Sequence, residues 1–479
     1  MVAIQTLPRR KYPVKILQFG AGNFLRGFAD WMVQEANDKV GFNAGIAVVQ
    51  SISTSHLLAK QEGVYTVTLK GIREEEFVSL RYKIDVIQRV VSATEDFALY
   101  LKEAENPELE FIFSNTTEAG ITVSEHDKQP DTVASTFPGK LTQLLYARFR
   151  KSIDKQLIVL PTELIEQNGT FLKKCILEYV QRWHLPSAFT YWLDEHITFC
   201  NTLVDRIVPG YPKKEVHLVN NELGYIDELA LEGEWFHLWA IEGPGWLEEK
   251  LPFKKAGLNV VVTNDLTPYR LRKVRVLNGA HTCLAPIGYL AGLNTVRSTI
   301  DHPVIGRYVK RLIYDDVISH IPGDRFELEQ YAEEVINRFR NPAIEHQLTS
   351  IAVNSFLKFK IRVLPSLLAQ IEKNGVVPER PAYALAALFF YYRGLKGGKE
   401  IALRDNPEVI SELKKMWGDA AFSKEGMIEL SAKILSRQEW WGKNLSDIPD
   451  LVEQTGSYLY AIDQIGIVES IKEMEAVIS

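Results

Sequence analysis

The stretch from Thr267 to His281 (TPYRLRKVRVLNGAH) holds a lysine, an amide and an imidazole at spacings that suit hydride chemistry: Lys273, Asn278 and His281. Taking a hydride from an alcohol carbon requires that the hydroxyl proton leave as well, and the reverse requires one delivered to a carbonyl oxygen. A lysine amine can carry that proton when burial and cationic neighbours ease its deprotonation, and Arg270, Arg272 and Arg275 stand close in sequence. Asn278 would donate to the developing alkoxide, and His281 would orient the substrate or hold the lysine. Thr267 as an N-cap and Pro268 at the first helical position predict a helix that begins here. On an α-helix of about 100° per residue the three side chains lie near 0°, 140° and 80°, within an arc of roughly 140°. A basic helix with a solvated face and a satisfied histidine fits the same spacing, which alone does not choose between the two.

The elements before this stretch suit a dinucleotide. Val14–Phe19 is a short apolar run that ends at Gly20-Ala21-Gly22, and residues 23–40 carry a helical apolar stripe through Phe24, Phe28, Trp31, Met32 and Ala36. A second strand follows at Gly45–Gln50. In this strand–turn–helix–strand order Gly20 allows the tight turn, Gly22 lets a pyrophosphate approach the backbone, and the helix amides receive the phosphates. The usual third glycine is replaced by Leu25, with Gly27 next, while Arg26 would add a cation near the phosphates. At the end of the second strand Val49-Gln50-Ser51-Ile52-Ser53 offers neither an acid for ribose hydroxyls nor an arginine for a 2′-phosphate, which leaves NAD and NADP both open.

Residues 63–70 and 77–87 alternate as an antiparallel excursion, and 110–114, 156–160, 237–241 and 259–262 read as further strands. After Pro268 amphipathic helices take over, as at 327–340, 382–393 and 407–417, with turn signals between them. The fold class is therefore α/β, a doubly wound Rossmann-like domain over 1–265 and a mostly helical catalytic domain over 266–479. In the second half His346, Lys358 and Arg362 are candidates for holding a carboxylate, which an arginine clasps with two parallel bonds. A solvated basic helix face explains Lys358 and Lys360 equally well.

The whole chain narrows the choice. Its 479 residues and net charge of −6 suit a two-domain protein with no general attraction to nucleic acid or anionic lipid. Cys175, Cys200 and Cys283 are too few for a disulfide framework and are not at zinc spacing, although His196 and Cys200 stand four residues apart. No run reaches membrane-span length and the N-terminus lacks an apolar signal core, so the expectation is a cytoplasmic monomer or small homo-oligomer acting on a small molecule without a metal. Tyr269 and Lys273 share the spacing of the short-chain dehydrogenase pair, but they follow residue 265 rather than lying inside the sheet domain.

Taken together, these residues resemble the polyol-specific long-chain dehydrogenase family, which includes mannitol dehydrogenases and carries Lys-x4-Asn-x2-His at the start of its helical domain. Lys273, Asn278 and His281 match that pattern, and the likeness extends over Gly20 to Arg26, Asn115 to Gly120, Asn168-Gly169 and Phe199 to Ile207. It implies NAD as cofactor, with contacts from Gly20, Gly22, Asn23, Phe24, Arg26, Asn115, Thr116 and Glu118. It also implies a substrate site that includes Asp205 and Lys358, with an Asp205–Arg206 ion pair as the other reading of that acid. Asn-Phe-Leu-Arg after the glycines and Leu160 to Ile165 are similar to the branch that interconverts tagaturonate and altronate. Fructuronate, mannitol or mannitol phosphate would be the substrate in sister branches. Mannitol dehydrogenases place an oxyanion-donating asparagine near Leu164, which cannot donate, so the branch implied here needs another donor.

Overall fold

Strands that are apolar at consecutive positions need a sheet covered on both faces. The computed structural model describes residues 2–50, 56–116, 120–211 and 216–478, without the side chains of 216–218. The chain forms two compact units, Met1–Leu266 and Thr267–Ser479.

The first unit is built on six parallel strands: β1 (Val14–Phe19), β2 (Gly45–Gln50), β3 (Ile87–Ser92), β4 (Phe111–Ser114), β5 (Leu157–Pro161) and β6 (Ile197–Phe199). Their order across the sheet is β3-β2-β1-β4-β5-β6, the doubly wound Rossmann arrangement. Successive residues point to opposite faces. Ile16, Ile46, Val48, Phe111 and Phe113 pack with Leu25, Phe28, Trp31 and Trp239, whereas Leu17, Phe19, Val49 and Ile112 pack with Leu141, Leu144 and Ile176. Helices α1 (Asn23–Gly27) and α2 (Ala29–Val40) lie on the first face, and α3 (Phe137–Arg150) and α4 (Asn168–Arg182) on the second.

Three departures from the sequence pattern stand out. The expected helix over 23–40 breaks at Phe28 (φ −126°, ψ −77°), whose ring stacks on Phe24 at 4.9 Å and packs on Trp239 at 5.4 Å. The expected strand 77–87 is two strands, Glu76–Ile84 and β3, because buried Asp85 turns the chain while it pairs with Arg10 and Lys83. Glu76–Ile84 does pair antiparallel with Tyr65–Arg73, and Leu231–Glu234 joins that sheet. Leu238–Glu242 and Val260–Thr263 form a separate sheet with Asn201–Asp205 rather than extending the main one.

The second unit is helical apart from short pieces such as the hairpin strands Leu395–Lys396 and Lys399–Glu400. It begins with α5 (Thr267–Arg272), continues through a π-helical turn at Lys273–Asn278 and resumes as α6 (Gly279–Leu290). Then follow α7 (Arg325–Phe339), α8 (Ser355–Arg362), α9 (Glu379–Tyr391), α10 (Pro407–Gly418) and α11 (Leu451–Ile478), the last kinked at Gly466. Helix α9 is apolar on nearly every side and packs between α6 and α11. Among the described residues no helix is long and apolar enough to cross a membrane.

Arg380, 3% exposed, fastens this core. Its guanidinium donates to Glu475 at 2.7 Å and to Asp316 at 3.0 Å, which ties α9 to α11 and to a second π turn at Leu312–Val317. Removing one partner of a buried ion pair strands the other charge. Arg380→Ala is expected to lower unfolding free energy by about 3–5 kcal/mol, read from urea denaturation.

Candidate active site

In the first unit the sheet order reverses between β1 and β4, and in such folds a crevice opens there at the carboxyl ends of the strands. Gly20 follows β1 with φ +116°, and a Cβ on it would meet the Asn115 carbonyl oxygen at 3.0 Å. Only glycine fits both constraints. The turn is fixed from its two flanks, since Gly20 N donates to Val49 O at 3.1 Å and Asn115 N to Phe19 O at 3.2 Å. Gly22 caps α1 without a side-chain hydrogen bond, and a Cβ built on it would meet nothing within 4 Å. The turn therefore leaves its first amides without a side-chain cap and keeps the backbone open to close approach, which fits a pyrophosphate. Gly27 takes the close-packing role of the missing third glycine, because a Cβ there would stand 2.9 Å from Leu231 and Val208.

Asn23 is exposed beside the turn, and Phe24 is half-buried against Phe28. Arg26 departs from the expectation of a phosphate-facing cation. It is buried, and its guanidinium donates to the Ala21 carbonyl (3.2 Å), the Leu229 carbonyl (2.8 Å) and Asn23 Oδ1 (2.8 Å). These bonds turn it inward, where it shapes the turn.

After β4, Asn115 Nδ2 donates to Thr162, and Thr116 leans on Glu163. Glu163 Oε1 accepts from Thr116 N (2.9 Å) and Thr116 Oγ1 (3.1 Å), while Oε2 accepts from Ser114 Oγ (3.1 Å). Burial raises its pKa, and these donors oppose the rise. Sequence reading missed this brace, and its signal was the glutamate in an otherwise apolar strand end. Glu163→Ala leaves those donors unmatched and is expected to cost about 1–3 kcal/mol in urea denaturation. Glu118, with Thr117 and Ala119, and the Ser51 to Ser53 segment lie outside the described residues.

Asp205 is buried at the end of the strand Asn201–Asp205. The ion pair with Arg206 does not form, because the Arg206 guanidinium stacks 4.1 Å over Trp31 and donates to the carbonyls of Gly27, Trp235 and Phe236. Cys200 is also buried, and burial pushes its thiol up to about 12.

In the second unit the helix expected from Thr267 forms, but the π turn changes its geometry. With i→i+5 bonding each turn takes up close to one residue more than an α-helix, so Asn278 comes within roughly 50° of Lys273 around the axis rather than about 140°. Lys273 and Asn278 are half-buried, and His281 is buried one turn on. The turn packs against α7 and α8. Arg272 points elsewhere, over the rings of Tyr269 (4.4 Å) and Tyr331 (5.0 Å).

His281 gathers the residues expected to hold substrate. Its ring lies 4.3 Å from Phe339 and 5.0 Å, edge to face, from His346. Burial first, then the charges of His346, Arg338, Arg362 and Lys358, holds its pKa well below the ordinary range. Burial and Lys358 lower His346 likewise. Both imidazoles are therefore neutral near pH 7, suited to hydrogen bonding rather than to carrying charge. Lys358 Nζ donates to the Ile351 carbonyl at 2.8 Å, and Asp405 acts on it from farther away. Arg362 Nη1 reaches Thr282 Oγ1 at 3.4 Å, and that hydroxyl donates to the Asn278 carbonyl at 2.8 Å. The guanidinium is thus tied to the turn that bears the amide.

Helix α8 buries Phe356 and Phe359 and partly covers two of its cations as well. Lys358 and Arg362 are half-buried, whereas Leu357 and Ile361 are 54% and 55% exposed. The reading of Lys358 as part of a solvated basic face is overturned, and Lys360 turns aside to Gly442. Among the described residues no carboxylate stands within ion-pair distance of Lys358 or Arg362. Desolvation lowers the pKa of both groups. Half-buried cations beside two neutral imidazoles have the chemistry to receive an anion.

Comparison with known proteins agrees with this anatomy. A model described as the mannitol dehydrogenase Rossmann domain matches residues 14–255, and one described as the mannitol dehydrogenase C-terminal domain matches 265–463. The chain is 42% identical over 469 residues to an altronate oxidoreductase of Bacillus subtilis (strain 168), covering 97% of this chain and 95% of that protein. It is 42% identical over 473 residues to an altronate oxidoreductase of Escherichia coli O6:K15:H31, covering 98% of each. Among solved structures, the Pseudomonas fluorescens mannitol 2-dehydrogenase ternary complex with NAD and D-mannitol has a TM-score of 0.69 at 22% identity, covering 99% of this chain and 97% of that one. A substrate-free D-sorbitol dehydrogenase has a TM-score of 0.80 at 22% identity, covering 98% and 100%. The matched models span nearly the whole chain, one over each unit, and the chain belongs to the mannitol dehydrogenase family.

Proposed function

We propose that the chain is an NAD(H)-dependent oxidoreductase that reduces the ketone of tagaturonate to altronate and runs the reverse reaction, with Lys273 as proton carrier. The observation that carries the substrate class is the pair of unneutralised, half-buried cations Lys358 and Arg362 beside His281 and His346. A polyol gives such a pair no counter-charge, whereas a sugar acid does. The altronate oxidoreductases to which the chain is 42% identical support the same class.

The glycine turn, with Gly20, Gly22, Asn23 and Phe24, and the loop at Asn115 and Thr116 would hold the dinucleotide. When bound, it supplies or accepts the hydride. Arg362 and Lys358 clasp the substrate carboxylate, and neutral His346 and His281 bond its hydroxyls. Asn278 Nδ2 donates to the carbonyl oxygen and steadies the charge that grows there. Lys273 Nζ, as ammonium, delivers the proton to that oxygen, and in the oxidative direction its free amine takes the proton back.

The test is NADH oxidation by the purified chain with tagaturonate, fructuronate, fructose and fructose 6-phosphate, repeated with NADPH. Tagaturonate with NADH is expected to give the highest kcat/KM. A preference for fructose or its phosphate contradicts the carboxylate reading, and one for fructuronate moves the chain to a sister branch.

A further inference from the structure

Asp30 lies in the first turn of α2, fully buried behind the glycine turn. Its Oδ2 accepts the Tyr65 hydroxyl at 2.8 Å, and the same hydroxyl stands 3.1 Å from the Arg26 carbonyl oxygen. The Arg26 guanidinium lies 5.2 Å from the centre of the Tyr65 ring. Gln18, buried on β1, lies beside the carboxyl and donates from Nε2 to the Gly20 carbonyl at 3.1 Å. The network therefore links one acid to both ends of the turn, through Gln18 to Gly20 and through Tyr65 to Arg26.

The groups that act on the acid come from three elements. Tyr65 comes from the strand Tyr65–Arg73, Arg26 from α1 and Gln18 from β1. Asp227 acts on Arg26 and Tyr65 and is itself bonded to Gln61 Nε2, Thr66 N and Leu229 N. Two oxygens are left over. Gln18 Oε1 and Asp30 Oδ1 are both buried without a hydrogen-bond partner. A buried acceptor that lacks a donor is costly, most of all on a charged carboxylate, and a proton on the carboxyl removes that charge. Burial pushes Asp30 up to about 7 against the pull of Tyr65, Arg26 and Gln18.

We propose that Asp30 is a proton-linked positioning residue for the dinucleotide. Protonated, it leaves the support of the turn neutral. Ionised, it sets a negative charge behind the bound phosphates. The inference rests on the dinucleotide reading of the glycine turn. A pyrophosphate at the turn disfavours a carboxylate behind it, so binding strengthens the hold of Asp30 on its proton. Binding then takes up a proton near neutrality, and affinity falls as pH rises through the free-state value.

Calorimetric titration of NADH into the full chain, in two buffers of different ionisation enthalpy near pH 7, reads the proton uptake directly. The wild type is expected to take up a fraction of a proton, and its Kd to weaken about tenfold between about pH 6 and about pH 8.5. Asp30→Asn keeps the shape without titrating and is expected to show a flat profile and no uptake. Tyr65→Phe removes a bond that favours the carboxylate and is expected to move the midpoint upward. Equal uptake in Asp30→Asn overturns the proposal, as does NADH binding by the wild type with no uptake. Should Asp30→Asn fail to fold, an unchanged midpoint in Tyr65→Phe overturns it. A wild type that does not bind NADH at all overturns the dinucleotide reading, and this one with it.

Discussion

Lys273→Ala is expected to lower kcat for tagaturonate reduction by about 10²–10⁴-fold, the usual share of a general acid or base. The amine has no understudy in its own turn. His281 is neutral near pH 7 because burial and four neighbouring cationic or imidazole groups hold it so, and the Asn278 amide cannot give up a proton at neutral pH. NADH affinity should be nearly unchanged, since the glycine turn and the Asn115 loop belong to the first unit. Steady-state kinetics beside NADH titration separates the two effects. A variant that keeps near-normal turnover removes Lys273 from the chemistry. A variant that loses NADH binding in step with turnover shows a misfolded chain.

Arg362→Leu is expected to cost about 10–150-fold in kcat/KM for tagaturonate, the worth of about 1.5–3 kcal/mol for a hydrogen bond to a charged group. The loss should be confined to carboxylate substrates, so any weak rate on fructose should stay within about twofold. The leucine is also expected to raise unfolding stability, because a half-buried cation without a carboxylate is costly in the free protein. A combined loss of stability and of activity on every substrate would make Arg362 a structural brace through Thr282 and Asn278 instead.

Much of the site was legible in residue types and much of its geometry was not. The strand–glycine–helix order at Val14 to Val40 announced the doubly wound sheet, and Lys273, Asn278 and His281 are the residues to which the proposed chemistry is assigned. The π turn that brings Asn278 towards Lys273 leaves no mark in residue choice, so a wheel drawn for an α-helix set them too far apart. Helix α8 was ambiguous for a related reason. Leu357 and Ile361 share one i,i+4 stripe and Lys358 and Arg362 another, and periodicity is blind to which one faces inward. Phe356 and Phe359 fill the core-facing stripe, and the two cations rather than Leu357 and Ile361 are half-buried beside it. Arg26, Arg206 and Glu163 were misread or missed because their partners lie far along the chain. Arg26 bonds Leu229 and Arg206 bonds Gly27, pairings that no local pattern records.

The central claim is hydride transfer from a nicotinamide to the ketone of a linear sugar acid without a metal. Its most direct test is to incubate the chain with tagaturonate and NADH deuterated at its transferable carbon, after exhaustive chelation, and to weigh the product. The account expects altronate that carries one carbon-bound deuterium per molecule, formed at the rate of the unchelated protein apart from the isotope effect. Product without deuterium, or activity that disappears on chelation and returns with added metal, would contradict it.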